Sequence, residues 1–193
     1  MRTALPGIIA MRLITFRHSG FEEIGALADA DTKIVRLQAA ELLRSGNPHP
    51  DLQDMLAFLG GGPAAREAGQ RAFDFGWTKR PEGVVIERTA VELLPPVPRP
   101  ESIRDFMVFE QHMINCARRF GMPGWLASLD GWVDRAVGRK ATLAYRRNRA
   151  WYERPAYYKG NRKTVVGHGA RVTIPRYTTH FDYELEFGIF LCK

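Results

Sequence analysis

Glu184 and Glu186 sit one residue apart in the run HFDYELEFGIFLCK, residues 180–193. In an extended strand, positions i and i+2 point to one face, with side-chain origins roughly 6–7 Å apart. Tyr183, Leu185 and Phe187 then point the other way. Two carboxylates side by side repel unless water or a cation screens them. On a solvated strand edge the pair is harmless. The apolar continuation FGIFLC predicts an interior strand instead, and interior carboxylates need a cation. All-oxygen donors favour Mg²⁺, Ca²⁺ or Mn²⁺ over zinc. A second pair is Asp105 and His112 in RDFMVFEQH. Seven residues apart in one helix, they share a face about two turns, or ~10 Å, from each other. Ordinary roles exist for both. An Asp at a helix start caps it or meets its dipole, and a His on a half-apolar face is a satisfied core residue.

These residues need elements to hold them. MRLITF and TKIVRLQ read as strands, and IGALADADTKIVRL reads as a hairpin turning at Asp29-Ala30-Asp31. LQAAELLRSG reads as a short helix ended by Gly46. In PHPDLQDMLAFLGGG, Asp51 can cap a helix that buries Leu52, Met55, Leu56 and Leu59. PAAREAGQRAFDFG is a further helix with Pro63 at its start, and GVVIERTAVELL reads as strand. PPVPRP, Pro95–Pro100, is a stiff connector that no ladder or helix interior accommodates. ESIRDFMVFEQHMINCARRFG, which holds Asp105 and His112, reads as one long helix. LASLDGWVDRAVGRK reads as a short amphipathic helix and YRRNR as a solvated loop. From Trp151 onward, aromatic and β-branched residues predict strands.

The 193 residues are 45% apolar and 25% charged, which fits a globular protein. No run approaches the ~18 apolar residues of a membrane span. Residues 1–10 lack a signal-peptide pattern and read equally as an unstructured leader, with Met11 as the natural start. Cys116 and Cys192 give no disulfide framework and no metal spacing, so a reducing cytoplasm is the expected location. The net charge of +7 admits nucleic acid or acidic small molecules as partners, but the basic residues are scattered.

Three motifs in order carry a resemblance: RDFMVFEQH (104–112), RPAYYKGN (154–161) and DYELE (182–186). Together with LLPPVPRPESIRDF and VVGHGARVTIP, they resemble the hydrolase-type branch of the fumarylacetoacetate hydrolase family over roughly residues 85–193. The resemblance implies that Asp105, Glu184 and Glu186 bind one divalent cation, with Mg²⁺ first and Ca²⁺ or Mn²⁺ as alternatives. It implies His112 as general base on a water, and Tyr158, with Tyr157 as the other choice, at the substrate. Lys159, Arg162 and Arg147 supply basic character for a dicarboxylate.

The fold implied is α+β and mainly β in the catalytic part: an incomplete mixed β-sandwich roll of this family, preceded by a small N-terminal α/β module. Its expected bounds are 1–94 for the module, 95–100 for the connector and 101–193 for a partial catalytic domain. The function implied is metal-dependent hydrolysis of a C–C bond in a diketo or keto-enol carboxylic acid, as in aromatic catabolism. Isomerisation and decarboxylation are the alternatives within the family. The expected partner is a small-molecule keto acid, not a membrane or nucleic acid, and the family suggests a homodimer. The family's later strands carry a fourth metal ligand and a Lys. Residue 193 precedes them, so the chain is expected to be truncated, with an incomplete site or an inactive remnant. A basic nucleic-acid-binding module built on YRRNR is the alternative from another class.

Overall fold

The structure is a computed structural model that describes residues 11–191. The leader expected over 1–10 and the position of Cys192 lie outside the described residues. The chain divides into two compact units: Met1–Arg99 with Thr164–Lys193, and Pro100–Lys163.

The first unit is built on strands β1 (Leu13–His18), β2 (Phe21–Ala28), β3 (Lys33–Arg36), β4 (Val85–Glu87) and β5 (Glu92–Leu93). They form one antiparallel sheet in the order β4-β3-β2-β1-β5. Asp29, Ala30 and Asp31, all at positive φ, make the turn between β2 and β3. Period-2 alternation puts Ile24, Ala26, Ala28 and Val35 on one face, where helices cover them. Phe16 and Ile34 are buried on the other. Gly25 lies between them. A Cβ there would fall 2.6 Å from Ile34 Cγ2, 2.9 Å from Phe16 Cε1 and 2.9 Å from the Val35 carbonyl oxygen.

Helix α1 (Leu37–Ser45) ends at Gly46, whose φ of 80° allows its N–H to reach the Leu42 carbonyl. Helix α2 (Met55–Gly60) is capped by Asp54, which accepts from the Ala57 N–H at 2.8 Å. Asp51, the expected cap, belongs instead to the 3₁₀ turn Pro50–Leu52, because Asp54 stands directly before the first helical residue. Helix α3 (Gly62–Lys79) turns a seam of Ala65, Ala68, Gly69, Ala72 and Gly76 inward. Small side chains let it approach the sheet and α1 closely.

The second unit begins at Pro100, the last proline of the stiff run. It contains strands β6 (Ile103–Phe106) and β7 (Tyr157–Gly160), paired antiparallel. Between them come α4 (Glu110–Gly121), α5 (Gly124–Ala136), α6 (Leu143–Arg147) and α7 (Arg149–Glu153). These helices close on Met113, Ile114, Met122 and Ala144. Buried Asp130 ties them together: it accepts from the Leu143 N–H and from Arg118 Nε at 2.9 Å. Arg118 also donates to Asp134 at 2.8 Å. Thr142 caps α6 by accepting from the Tyr145 N–H at 3.1 Å.

The chain is thus α+β, but three sequence expectations change. The single helix over 101–121 is a strand followed by a helix. The YRRNR stretch is helical rather than a loop. The catalytic part is not mainly β: residues 101–163 hold four α-helices and two short strands, and residues 165–191 form no strand. The strand expected around Glu184 and Glu186 depends on a neighbour to complete its ladder, and no described strand supplies one. Tyr183, Leu185 and Phe187 are accordingly exposed, Phe187 fully.

Candidate metal and catalytic site

Asp105 sits on β6 rather than near the start of a helix. The reason is in the backbone. The Met107 N–H donates to the Ala156 carbonyl at 3.1 Å, extending the β6–β7 ladder past Phe106. The Met107 carbonyl accepts from Trp151 Nε1 at 2.7 Å. Both hydrogen-bonding groups of Met107 are therefore engaged outside any helix. Phe109 stays extended, at φ −92° and ψ 111°, and α4 starts only at Glu110. The seven-residue spacing of Asp105 and His112 spans two elements, so they do not share a helical face. This also removes the helix-capping role for Asp105.

In the ladder, Asp105 stands opposite Tyr158, and Phe106 opposite Tyr157. Strand alternation gives the two pairs opposite faces. The two tyrosines therefore differ. Tyr157 packs on Phe106 with ring centroids 5.2 Å apart, and Arg104 lies 5.5 Å from its ring. Tyr158 shares the face of Asp105. Lys159 pairs with Arg104 on the Tyr157 face, and Arg162 reaches the Pro100 carbonyl at 3.5 Å. Arg147 donates to the Gly121 carbonyl at 3.3 Å.

His112 lies in the first turns of α4, and its ring is exposed. The core side of that helix belongs to Met113 and Ile114, so His112 is no satisfied core residue. Its Nε2 lies 3.5 Å from Sγ of Cys116, one turn further on. The i, i+4 spacing could have singled out this neighbour from the sequence. Near it, Glu110 accepts from the Tyr152 hydroxyl at 2.8 Å and from Arg139 at 3.1 Å. Burial, with the Glu110 carboxylate beside it, holds the Tyr152 hydroxyl protonated well above the usual tyrosine range.

Glu184 and Glu186 belong to the first unit. Both are exposed, and one carboxylate oxygen of each lies within 4.8 Å of the other. The side chains of Asp105, Glu184 and Glu186 have no hydrogen-bond or ion-pair partner among the described residues. Carboxylates free of protein cations are donors of the kind a hard divalent ion takes. Such oxygen donors suit Mg²⁺, Ca²⁺ or Mn²⁺, and none is a nitrogen or sulfur ligand that would select zinc.

No curated protein matches the chain. The family described as fumarylacetoacetate (FAA) hydrolase C-terminal matches residues 133–193. That span holds the Tyr157-Tyr158 and Glu184-Leu185-Glu186 motifs; Asp105 and His112 precede it. Over residues 133–193, about a third of the chain, the sequence is similar to the fumarylacetoacetate hydrolase family.

Proposed function

We propose that the chain is a metal-dependent hydrolase acting on a C–C bond of a diketo or keto-enol carboxylic acid. The family match over 133–193 carries this reading and supports metal-dependent chemistry of the hydrolase or isomerase type. Asp105, Glu184 and Glu186 would hold the cation, with Mg²⁺ as the first choice. A bound divalent cation supplies polarisation of the substrate's carbonyl oxygens and stabilisation of the enolate leaving group. His112, exposed and free to meet solvent, takes a proton from a water that adds to one carbonyl. The C–C bond then breaks, and its electron pair leaves as the enolate. The proton held by His112 returns to that fragment. Tyr158 positions the substrate with its hydroxyl, next to Asp105 on the same ladder face.

The test needs no substrate at its first stage. Titration of Mn²⁺ by calorimetry should show one site. Asp105→Ala, Glu184→Ala and Glu186→Ala should each weaken it by about tenfold or more. His112→Ala should keep the affinity and abolish turnover of a 2,4-diketo acid such as acetopyruvate. Absence of Mn²⁺ binding up to about 1 mM, or equal loss of affinity in His112→Ala, overturns the reading.

A further inference from the structure

The second unit contains a cleft that the metal site does not use. It has two adjoining lobes of about 320 and 370 Å³, which share Met107, Trp151, Arg154, Pro155 and Ala156. Each lobe falls within the range of small-ligand pockets, ~300–1,000 Å³. Phe106 lines one lobe, and its side chain is on the opposite ladder face from Asp105.

The walls are mostly apolar. The Trp151 indole N–H is already given to the Met107 carbonyl, so the ring offers a ligand its apolar surface and no donor. Charge on the cleft is unbalanced. Glu153, the lining carboxylate of the first lobe, is paired with Arg149 at 2.8 Å. The Arg154 side chain has no hydrogen-bond or ion-pair partner among the described residues. Arg147, on the second lobe, spends one N–H on the Gly121 carbonyl. The uncompensated charge is therefore cationic. A planar guanidinium offers a fork of donors that a carboxylate accepts in pairs.

We infer that this cleft binds an amphipathic carboxylate. Its carboxylate pairs with Arg154, and its apolar body lies on Trp151, Met107 and Pro155. The ligand class is an aryl- or alkyl-carboxylic acid of small-molecule size. The inference stands apart from the metal reading, because no metal ligand lines the cleft.

The experiment uses the full chain in EDTA, with 4-phenylbutyrate as probe and 4-phenylbutyramide as its neutral match. The readout is the Trp151 indole N–H resonance, assigned by its loss in Trp151→Phe. Phenylbutyrate should shift that resonance saturably, and the amide should bind about tenfold more weakly. Arg154→Gln should weaken phenylbutyrate by a similar factor while leaving amide binding and the melting curve unchanged. Arg154→Lys should recover part of the loss. Glu184→Ala should bind the probe as the unaltered chain does, so a failed metal site leaves this result intact. Equal binding of acid and amide, equal binding by Arg154→Gln, or no saturation below about 10 mM overturns the inference.

Discussion

Asp105 and Tyr158 stand directly opposite each other across the β6–β7 ladder, while Phe106 and Tyr157 form the next pair on the reverse face. Opposed residues in such a ladder hold their Cβ atoms about 5 Å apart. Tyr158 and Asp105 thus belong to one surface, and Tyr157 belongs to another. Tyr158→Phe is expected to lower kcat/KM for acetopyruvate about tenfold, with Mn²⁺ affinity unchanged. Tyr157→Phe should leave kcat/KM within about twofold. Steady-state kinetics on the two variants check this directly, and a larger loss in Tyr157→Phe would reverse the assignment.

Asp130 joins α5 to the start of α6. It satisfies the Leu143 N–H and balances Arg118, from a position 3% exposed. Asp130→Ala leaves a buried donor unpaired and removes half of an Arg118 fork. The expected loss is about 2–4 kcal/mol. Hydrogen exchange should show it as faster exchange of α5 and α6, with the β1–β5 sheet unaffected.

Asp134 gives the same helices an acid sensitivity. The hydrogen bond from Arg118, then the pairing with Arg139, holds its carboxyl below the usual aspartate range against the opposing effect of burial. Its folded value is below its unfolded one, so the stabilisation is complete above the unfolded pKa, about 3.9. It is lost as the pH falls from there through the folded value. Urea melts of the unaltered chain should therefore lose stability below about pH 4. In Asp134→Asn, stability near neutral pH should fall and this part of the acid dependence should shrink.

Gly25 tests the packing of the other unit. An added methyl would meet Ile34, Phe16 and the Val35 carbonyl oxygen, all within 2.9 Å. The carbonyl cannot move without disturbing the β2–β3 ladder. Gly25→Ala should cost about 1–3 kcal/mol in denaturant unfolding. Gly60→Ala meets nothing within 4 Å and serves as the control, with a change of about 0.5 kcal/mol or less.

Much of the first unit was legible because its signals are local. The β2–β3 hairpin has its turn residues between alternating strands. Helix α1 has its glycine stop, and α3 has Pro63 near its start. The start of α2 was not legible: the expected cap was Asp51, before Leu52, whereas Asp54 caps a helix that begins at Met55.

The second unit was harder for a physical reason. β6 is a strand because of residues some fifty positions away, and the long helical period of its neighbours masks it. Nothing within RDFMVFEQH announces that Met107 will bond to Ala156 and Trp151. The Glu184–Glu186 stretch fails in the opposite direction. Its alternation is clear, but alternation states only what a strand would bury, not whether a partner strand is there. The family resemblance was legible over residues 133–193, since its motifs are defined by residue type and order and survive an error in secondary structure.

The β6–β7 ladder also bears on how this unit can change. Helices α4 to α7 leave the chain at Phe106 and return to it at Tyr157, which are ladder partners. Their two ends are therefore fastened at a single point, like a purse on its clasp. Exposed residues of the helices can be exchanged while the clasp stays closed. Such edits reshape the Trp151–Arg154 cleft and leave Asp105 beside Tyr158. Sequence can then drift in one part of the unit, while the Asp105–Tyr158 pair keeps its spacing in another.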